Sequence, residues 1–320
     1  MAARLPPPLP SDESLAPRGR VSPLERPLAL DRIVVAYVLA TVALVLLASR
    51  RIPAAGTIAV GHGLGLAVYA LLRSAATRGV LGRAVFLLSL AGLVLGVFEG
   101  MGAILPHLRA DVVADLQADA LLARLDRAIF GSDPTTWFEA MLSPATVLVL
   151  QICYASYFFL AFAVIAVTVA RRHYRSLISY TAVIIGTFFT TYVGYYLLPA
   201  YGPRVYHAYP TEIPHHAVSR WLYDAIESLD YIKLNAFPSG HAAVALVVLA
   251  ILFREDRKVA AVFVPLVAGL VVATVALRYH YLVDVVVGVL IAALWSGLGM
   301  RVVFAYDRRP WAAPLEGSAA

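Results

Sequence analysis

Long uninterrupted apolar runs dominate this chain, and they decide what it can fold into. Hydrocarbon offers backbone N–H and C=O groups no water, so a run that crosses a bilayer must satisfy them internally, as a helix does. About 20 residues suffice for one crossing. Eight runs reach or approach that length: 32–49, 54–73, 82–105, 145–170, 177–199, 237–253, 259–277 and 281–304. Hydrophobic residues make up 61% of the 320 and charged residues only 14%, which excludes a soluble globular domain. The expected fold class is an all-α integral membrane protein with about eight transmembrane helices.

Loop charge orients these helices. Arg73, Arg78 and Arg83 bracket the second loop, and Arg171, Arg172 and Arg175 follow the fourth run. Arg254, Arg257 and Lys258 follow the sixth, and Arg308 and Arg309 the eighth. All fall on one side, which the positive-inside rule makes cytoplasmic. Arg50 and Arg51 dissent, as Arg at a helix end can by snorkelling. The expected organisation is a disordered cytoplasmic tail at 1–28, amino-terminal transmembrane helices at 29–105, an extracytoplasmic amphipathic segment at 106–144, a transmembrane core at 145–304 and a cytoplasmic tail at 305–320. No cleavable signal precedes the first run, which reads as a retained helix. The net charge of +6 comes almost entirely from Arg, since Lys occurs only at 233 and 258. These Arg flank apolar runs, so they set topology and imply no nucleic acid. The Arg-rich, Lys-poor composition points to a bacterial inner membrane. Cys153 has no cysteine to pair with.

In 106–144, Leu116, Leu121, Leu122, Leu125, Ile129 and Phe130 recur at helical spacing with Asp115, Asp119, Arg124 and Asp126 between them. That pattern predicts an amphipathic helix on the membrane surface, or a packed connector. Segment 212–234, with Trp221, Tyr223 and Tyr231, reads as an interfacial helix.

Three stretches at the extracytoplasmic edge carry chemistry. Phe237-Pro238-Ser239-Gly240-His241 opens the sixth run. Pro suits a first helical turn, where N–H groups lack intrahelical partners and attract anions. Ser239 and Gly240 are therefore candidate phosphate-binding residues, with His241 placed to donate a proton to a leaving oxygen. The same residues also make an ordinary helix cap. His280 and Asp284 lie four apart, which on a helix places both on one face. Asp284 is then expected to accept the His280 Nδ1–H and leave Nε2 as nucleophile. A structural His–Asp pair is the alternative. Arg204, after Gly202-Pro203, offers a permanently charged fork for phosphate, and Arg278 is a second candidate. A headgroup anchor is the alternative for each, and the phosphate role is favoured for Arg204. No H-E-x-x-H and no Cys pair is present, and His215-His216 are adjacent, so no metal is expected. His62 and Glu99 stand inside apolar runs, where ionisable residues are functional candidates by default. Gly61, Gly63, Gly65, Gly96, Gly100 and Gly102 around them suggest close helix packing.

These stretches resemble the type-2 phosphatidic acid phosphatase superfamily over roughly 120–295. The resemblance implies a six-helix core from the third to the eighth run. It carries His280 over as nucleophile, His241 as general acid, Asp284 as orienting carboxylate, and Ser239 and Gly240 as phosphate-cradle residues. It implies no cofactor and a lipid phosphate or phosphodiester substrate. Two departures stand out. The family's first motif, K-x6-R-P, meets Leu197 and Val205 around Arg204. The S-R that usually opens the third motif is replaced by Ala273-Thr274. His280-Tyr281-Leu282-Val283-Asp284 is more similar to the H-Y-x-x-D of sphingolipid synthases. Leu125-Asp126 to Phe130-Gly131 and Pro199-Ala200-Tyr201-Gly202-Pro203-Arg204 look like the inositol phosphorylceramide synthase-like branch. The expectation is a metal-independent phosphotransferase working through a phosphohistidine. A lipid phosphatase is the close alternative. A proton-coupled transporter using Glu99, His62 and Asp284, or an inert scaffold, is more distant. The oligomeric state is open.

Overall fold

The computed structural model describes residues 28–75, 80–229 and 232–308. The tails, Arg78, Arg309 and Tyr231 lie outside the described residues. Every regular element among those described is helical. The helices are α1 (Ala29–Leu47), α2 (Ala55–Ala75), α3 (Val80–Leu108), α4 (Ala110–Ala114), α5 (Gln117–Phe130), α6 (Pro144–Ala155) and α7 (Tyr157–Ala170). They continue with α8 (Tyr174–Leu197), α9 (Pro203–Tyr206), α10 (Ala217–Leu229), α11 (Gly240–Glu255), α12 (Arg257–Ala276), α13 (Leu282–Leu294) and α14 (Met300–Asp307).

Six helices are long and apolar enough to cross a membrane, counting α13–α14 as one through a π-helical turn at Trp295–Gly299. The other two expected spans differ. The run 145–170 breaks into α6 and α7, bent by 50° at Ser156. There the Ser156 hydroxyl donates to the Cys153 carbonyl at 2.6 Å, a polar intrusion of the kind that bends helices. The sixth run is the 16-residue α11, which starts three residues later than expected because Pro238 precedes the helix rather than opening it.

α8 is the most buried span and touches α1, α3, α7, α11, α13 and α14. Lipid is as apolar as the core, so these helices associate by packing and internal hydrogen bonds rather than by hydrophobic drive. Thr181, Thr187 and Thr190 satisfy their hydroxyls on carbonyls one turn back. Trp295 donates to the Thr190 hydroxyl at 2.9 Å.

Hydrogen bonds gather the basic ends at one edge. Asp31 accepts from Arg73 and Tyr69, and Asp307 from the Ala29 N–H and Ser179. Asp256 pairs with Arg171, and buried Glu255 with His173 and Tyr180. Hydrogen bonds join 106–144, 200–229, 232–236 and 278–283 at the opposite edge.

The segment after α3 forms an amphipathic helix, α5, one face of which is packed into the protein. In α5 the buried stripe is Ala118, Asp119, Leu122, Ala123 and Asp126, while Leu121, Leu125 and Ile129 are exposed. Both aspartates face inward and are 1% exposed. The glycines near His62 and Glu99 differ from expectation. Gly100 is a close approach, against the His62 ring, whereas Gly61, Gly63, Gly65 and Gly96 face open space.

Candidate active site

Two helices begin side by side at this edge. α11 begins at Gly240 with Ser239 as its cap, the Ser239 hydroxyl accepting from Ala242 N–H at 3.3 Å. The Ser239 N–H is not free for a ligand, because it donates to the Asp284 carbonyl at 3.0 Å. Among the described residues no acceptor meets the N–H of Gly240 or His241. The open donors of the cradle are thus one residue further on than expected, at a terminus whose dipole already favours an anion.

α13 begins differently. Asp126 of α5 accepts from Leu282 N–H at 2.9 Å and Val283 N–H at 2.8 Å. Asp284 accepts from Tyr281 N–H at 2.9 Å. Three first-turn donors are therefore closed by the protein's own carboxylates.

His280 lies in the turn before α13, so it and Asp284 do not share a helical face. Its Nδ1 is 2.7 Å from the Ala236 carbonyl and 3.6 Å from Asp284 Oδ2. A carbonyl can only accept, so Nδ1 carries the proton and donates it to Ala236. Nε2 keeps its lone pair. The orienting acceptor is a backbone carbonyl, not the Asp284 carboxylate that the sequence suggested. Asp284 is fully buried and shapes the turn by capping it, with Oδ1 unpartnered. Burial first, and the Arg204 charge after it, pull the His280 pKa down to about 4, against the opposing Ala236 hydrogen bond. His280 is thus a neutral imidazole at neutral pH.

His241 stands across from it, the ring centroids 5.8 Å apart. Tyr154 and Tyr157 pack against the His241 ring at 4.5 and 4.3 Å, one from each side of the Ser156 bend. The Tyr154 hydroxyl lies 3.4 Å from His241 Nδ1. Tyr279 stacks on Tyr154 at 4.3 Å, and the Arg204 guanidinium lies 4.8 Å from the Tyr279 ring. Arg204, Tyr279, Tyr154 and His241 so form one continuous wall.

Asp119 builds the loop that delivers Arg204. It accepts from Gly202 N–H at 2.8 Å, Tyr201 N–H at 3.0 Å and the Tyr281 hydroxyl at 3.2 Å. Gly202 sits at φ +98°, and a Cβ there would lie 2.6 Å from the Tyr279 carbonyl, so only Gly fits. Burial pushes the Asp119 and Asp126 carboxyls above the usual range, against these hydrogen bonds. Arg204 pairs with Glu227 of α10.

Arg278 is placed otherwise than as a phosphate cation. It is 5% exposed, donates to the Thr211 carbonyl and to Glu139 at 2.8 Å each, and covers the Tyr209 ring at 3.7 Å. It clamps the cap of the site. Among the described residues no group of three His, Cys, Asp or Glu side chains is placed to hold a metal ion.

The structure therefore gathers His280, His241, Asp284, Arg204, Ser239 and Gly240, and leaves His62 and Glu99 elsewhere. Glu99 is exposed on α3, His62 packs against Gly100, and no hydrogen bond or ion pair joins either to Asp284. Sequence reading missed Ala236, Tyr154, Tyr157, Tyr279 and Glu227, and took Asp119 and Asp126 for a polar face. Their spacing of seven, which puts both on one side of a helix, was the available signal.

The model of the PAP2 superfamily matches residues 120–298, more than half of the chain. No curated protein and no solved structure matches it. The family match begins inside α5, one residue after Asp119, and takes in Asp126 and every residue of the two helix starts; it covers more than half of the chain, so the chain belongs to the PAP2 superfamily and is a membrane-embedded phosphatase or phosphotransferase.

Proposed function

We propose that this protein transfers a phosphoryl group from a lipid phosphate or phosphodiester through a phosphohistidine on His280. The observation that carries the reading is the Nδ1–H bond to Ala236, which leaves Nε2 unprotonated opposite His241. Nε2 attacks phosphorus as the bond to the leaving oxygen breaks, and His241 supplies that oxygen's proton. Arg204 and the Gly240 and His241 N–H groups hold the non-bridging oxygens as charge redistributes. An acceptor hydroxyl then attacks phosphorus. The P–N bond returns its electrons to Nε2, and the acceptor's proton passes to His241.

Water as acceptor makes a phosphatase, and an inositol or lipid hydroxyl makes a transferase. The similarity of His280-Tyr281-Leu282-Val283-Asp284 to sphingolipid synthases favours transfer, with hydrolysis as the second reading. The basic ends at the opposite edge support, under the positive-inside rule, a site on the extracytoplasmic side, the periplasm of a bacterial inner membrane.

The test uses purified protein in detergent with EDTA, a panel of labelled lipid phosphates and phosphodiesters, and His280→Ala beside wild type. Label trapped on wild type but not on the variant supports the phosphohistidine. Label moving to inositol or a second lipid supports the transferase, and free phosphate the phosphatase. Turnover surviving His280→Ala overturns the mechanism. For sidedness, Ser132→Cys and Lys258→Cys in a Cys153→Ala background are probed with an impermeant maleimide. Labelling of position 258 in intact cells would reverse the assignment.

A further inference from the structure

An anion already sits on the cation assigned to phosphate. Arg204 and Glu227 are paired, with side chains 17% and 24% exposed. The second Glu227 oxygen takes Lys233 Nζ at 2.7 Å, and the same ammonium donates to the Glu227 carbonyl at 3.1 Å. Lys233 holds a left-handed backbone, φ +53°, a conformation that costs a non-glycine residue free energy. Its ammonium turns back onto α10's own glutamate.

We propose that Glu227 is a built-in occupant of the phosphoryl group's place on Arg204, and that Lys233 is the holder that keeps this carboxylate when Arg204 lets go. The proposal rests on the reading of Arg204 as the phosphate cation. A guanidinium this enclosed is costly without a partner, so the resting site needs an anion. The incoming phosphoryl group offers Arg204 oxygens in the fork geometry it favours, while one Glu227 oxygen is already engaged by Lys233. Glu227 is left with two contacts to Lys233 and is not stranded as a bare buried charge.

The experiment is calorimetric binding of inorganic phosphate to the full chain in detergent. It compares wild type, Glu227→Gln, Lys233→Gln, the double variant and Arg204→Gln. Removing the competitor should tighten phosphate about tenfold in Glu227→Gln. Removing the holder should weaken it several-fold in Lys233→Gln, because Glu227 then has only Arg204. With Gln at 227, the Lys233 change should have almost no effect, since there is nothing left to hold. Additive effects in this cycle would mean plain charge attraction and would overturn the role of Lys233. Unchanged or weaker binding in Glu227→Gln overturns the gate while leaving the anion site standing. Phosphate binding that survives Arg204→Gln, or is absent in both wild type and Glu227→Gln, overturns the anion-site reading itself and the gate with it.

Discussion

Two helix starts meet at the site and are finished in opposite ways. α13 is closed by carboxylates on the first-turn N–H groups, two donors on Asp126 and one on Asp284. α11 is left open at Gly240 and His241, with only a side-chain cap from Ser239. Both termini carry the same partial positive charge, so either would attract a phosphate. On the proposed reading, the difference teaches that the anion site is chosen by subtraction. The protein fills one terminus with its own acids, which fixes the turn carrying His280, and leaves the N–H groups of the other open beside His241.

The comparison breaks outright if turnover does not need the residue held by the closed terminus. His280→Ala should lower kcat by about a thousandfold or more and abolish phosphoenzyme, measured by lipid turnover and acid-quenched label. Next, Asp126→Ala should unmake the closure. Two buried N–H groups lose their acceptor, at about 2–4 kcal/mol of stability read by thermal melting, with a fall in kcat of about a hundredfold as His280 loses its register. Asp126→Asn, which still offers one oxygen, should recover part of both. If Asp126→Ala leaves turnover intact, α13 capping is mere scaffolding.

Crowding the open terminus tests the other half. A Cβ at Gly240 would stand 2.6 Å from the Tyr195 hydroxyl, so Gly240→Ala must shift the first turn or the Tyr195 side chain against it. Phosphate affinity should drop about tenfold while the fold is retained. An unchanged affinity would place the phosphate elsewhere.

His280's environment predicts the acid side of the pH profile. With its pKa held at about 4, His280 stays neutral at pH 5.5, where an ordinary imidazole would be mostly protonated. For a phosphodiester substrate, whose own charge is constant there, kcat/KM should therefore not show the tenfold loss that a pKa of 6.5 would impose. Stability has a matching sign. The folded pKa lies below the unfolded value, so this residue's effect is absent above about pH 6.5 and stability is lost as pH falls from there towards 4. The smallest effect is expected for Ser239→Ala. Its capping contact is long, so about 0.5–1 kcal/mol of stability should be lost with little change in turnover.

Much of this was legible in the residues alone. Apolar runs set the helices, Arg placement set the shared edge of the basic ends, and His241, His280, Asp284 and Arg204 stood out by chemical type and spacing. The details of partnership were not. Spacing put Asp284 on the Nδ1–H of His280, because four residues on a helix share a face. His280 in fact precedes the helix, and a carbonyl 44 residues away in sequence takes the proton. Arg278 looked like a phosphate cation two residues from His280, yet Glu139 and Thr211 engage it.

α5 marks the boundary most sharply. Its alternation of leucine and aspartate established a helix with two unlike faces, since that depends only on a period near 3.6 residues. Which face turns inward could not follow from the pattern. In water the leucines would be buried. Beside a bilayer they can be exposed, and the aspartates are drawn inside by N–H groups from residues 201, 202, 282 and 283, far along the chain. Helices and chemical types are local properties, carried by each residue and its near neighbours. Which donor meets which acceptor depends on groups brought together from distant segments, and only the assembled bundle settles that.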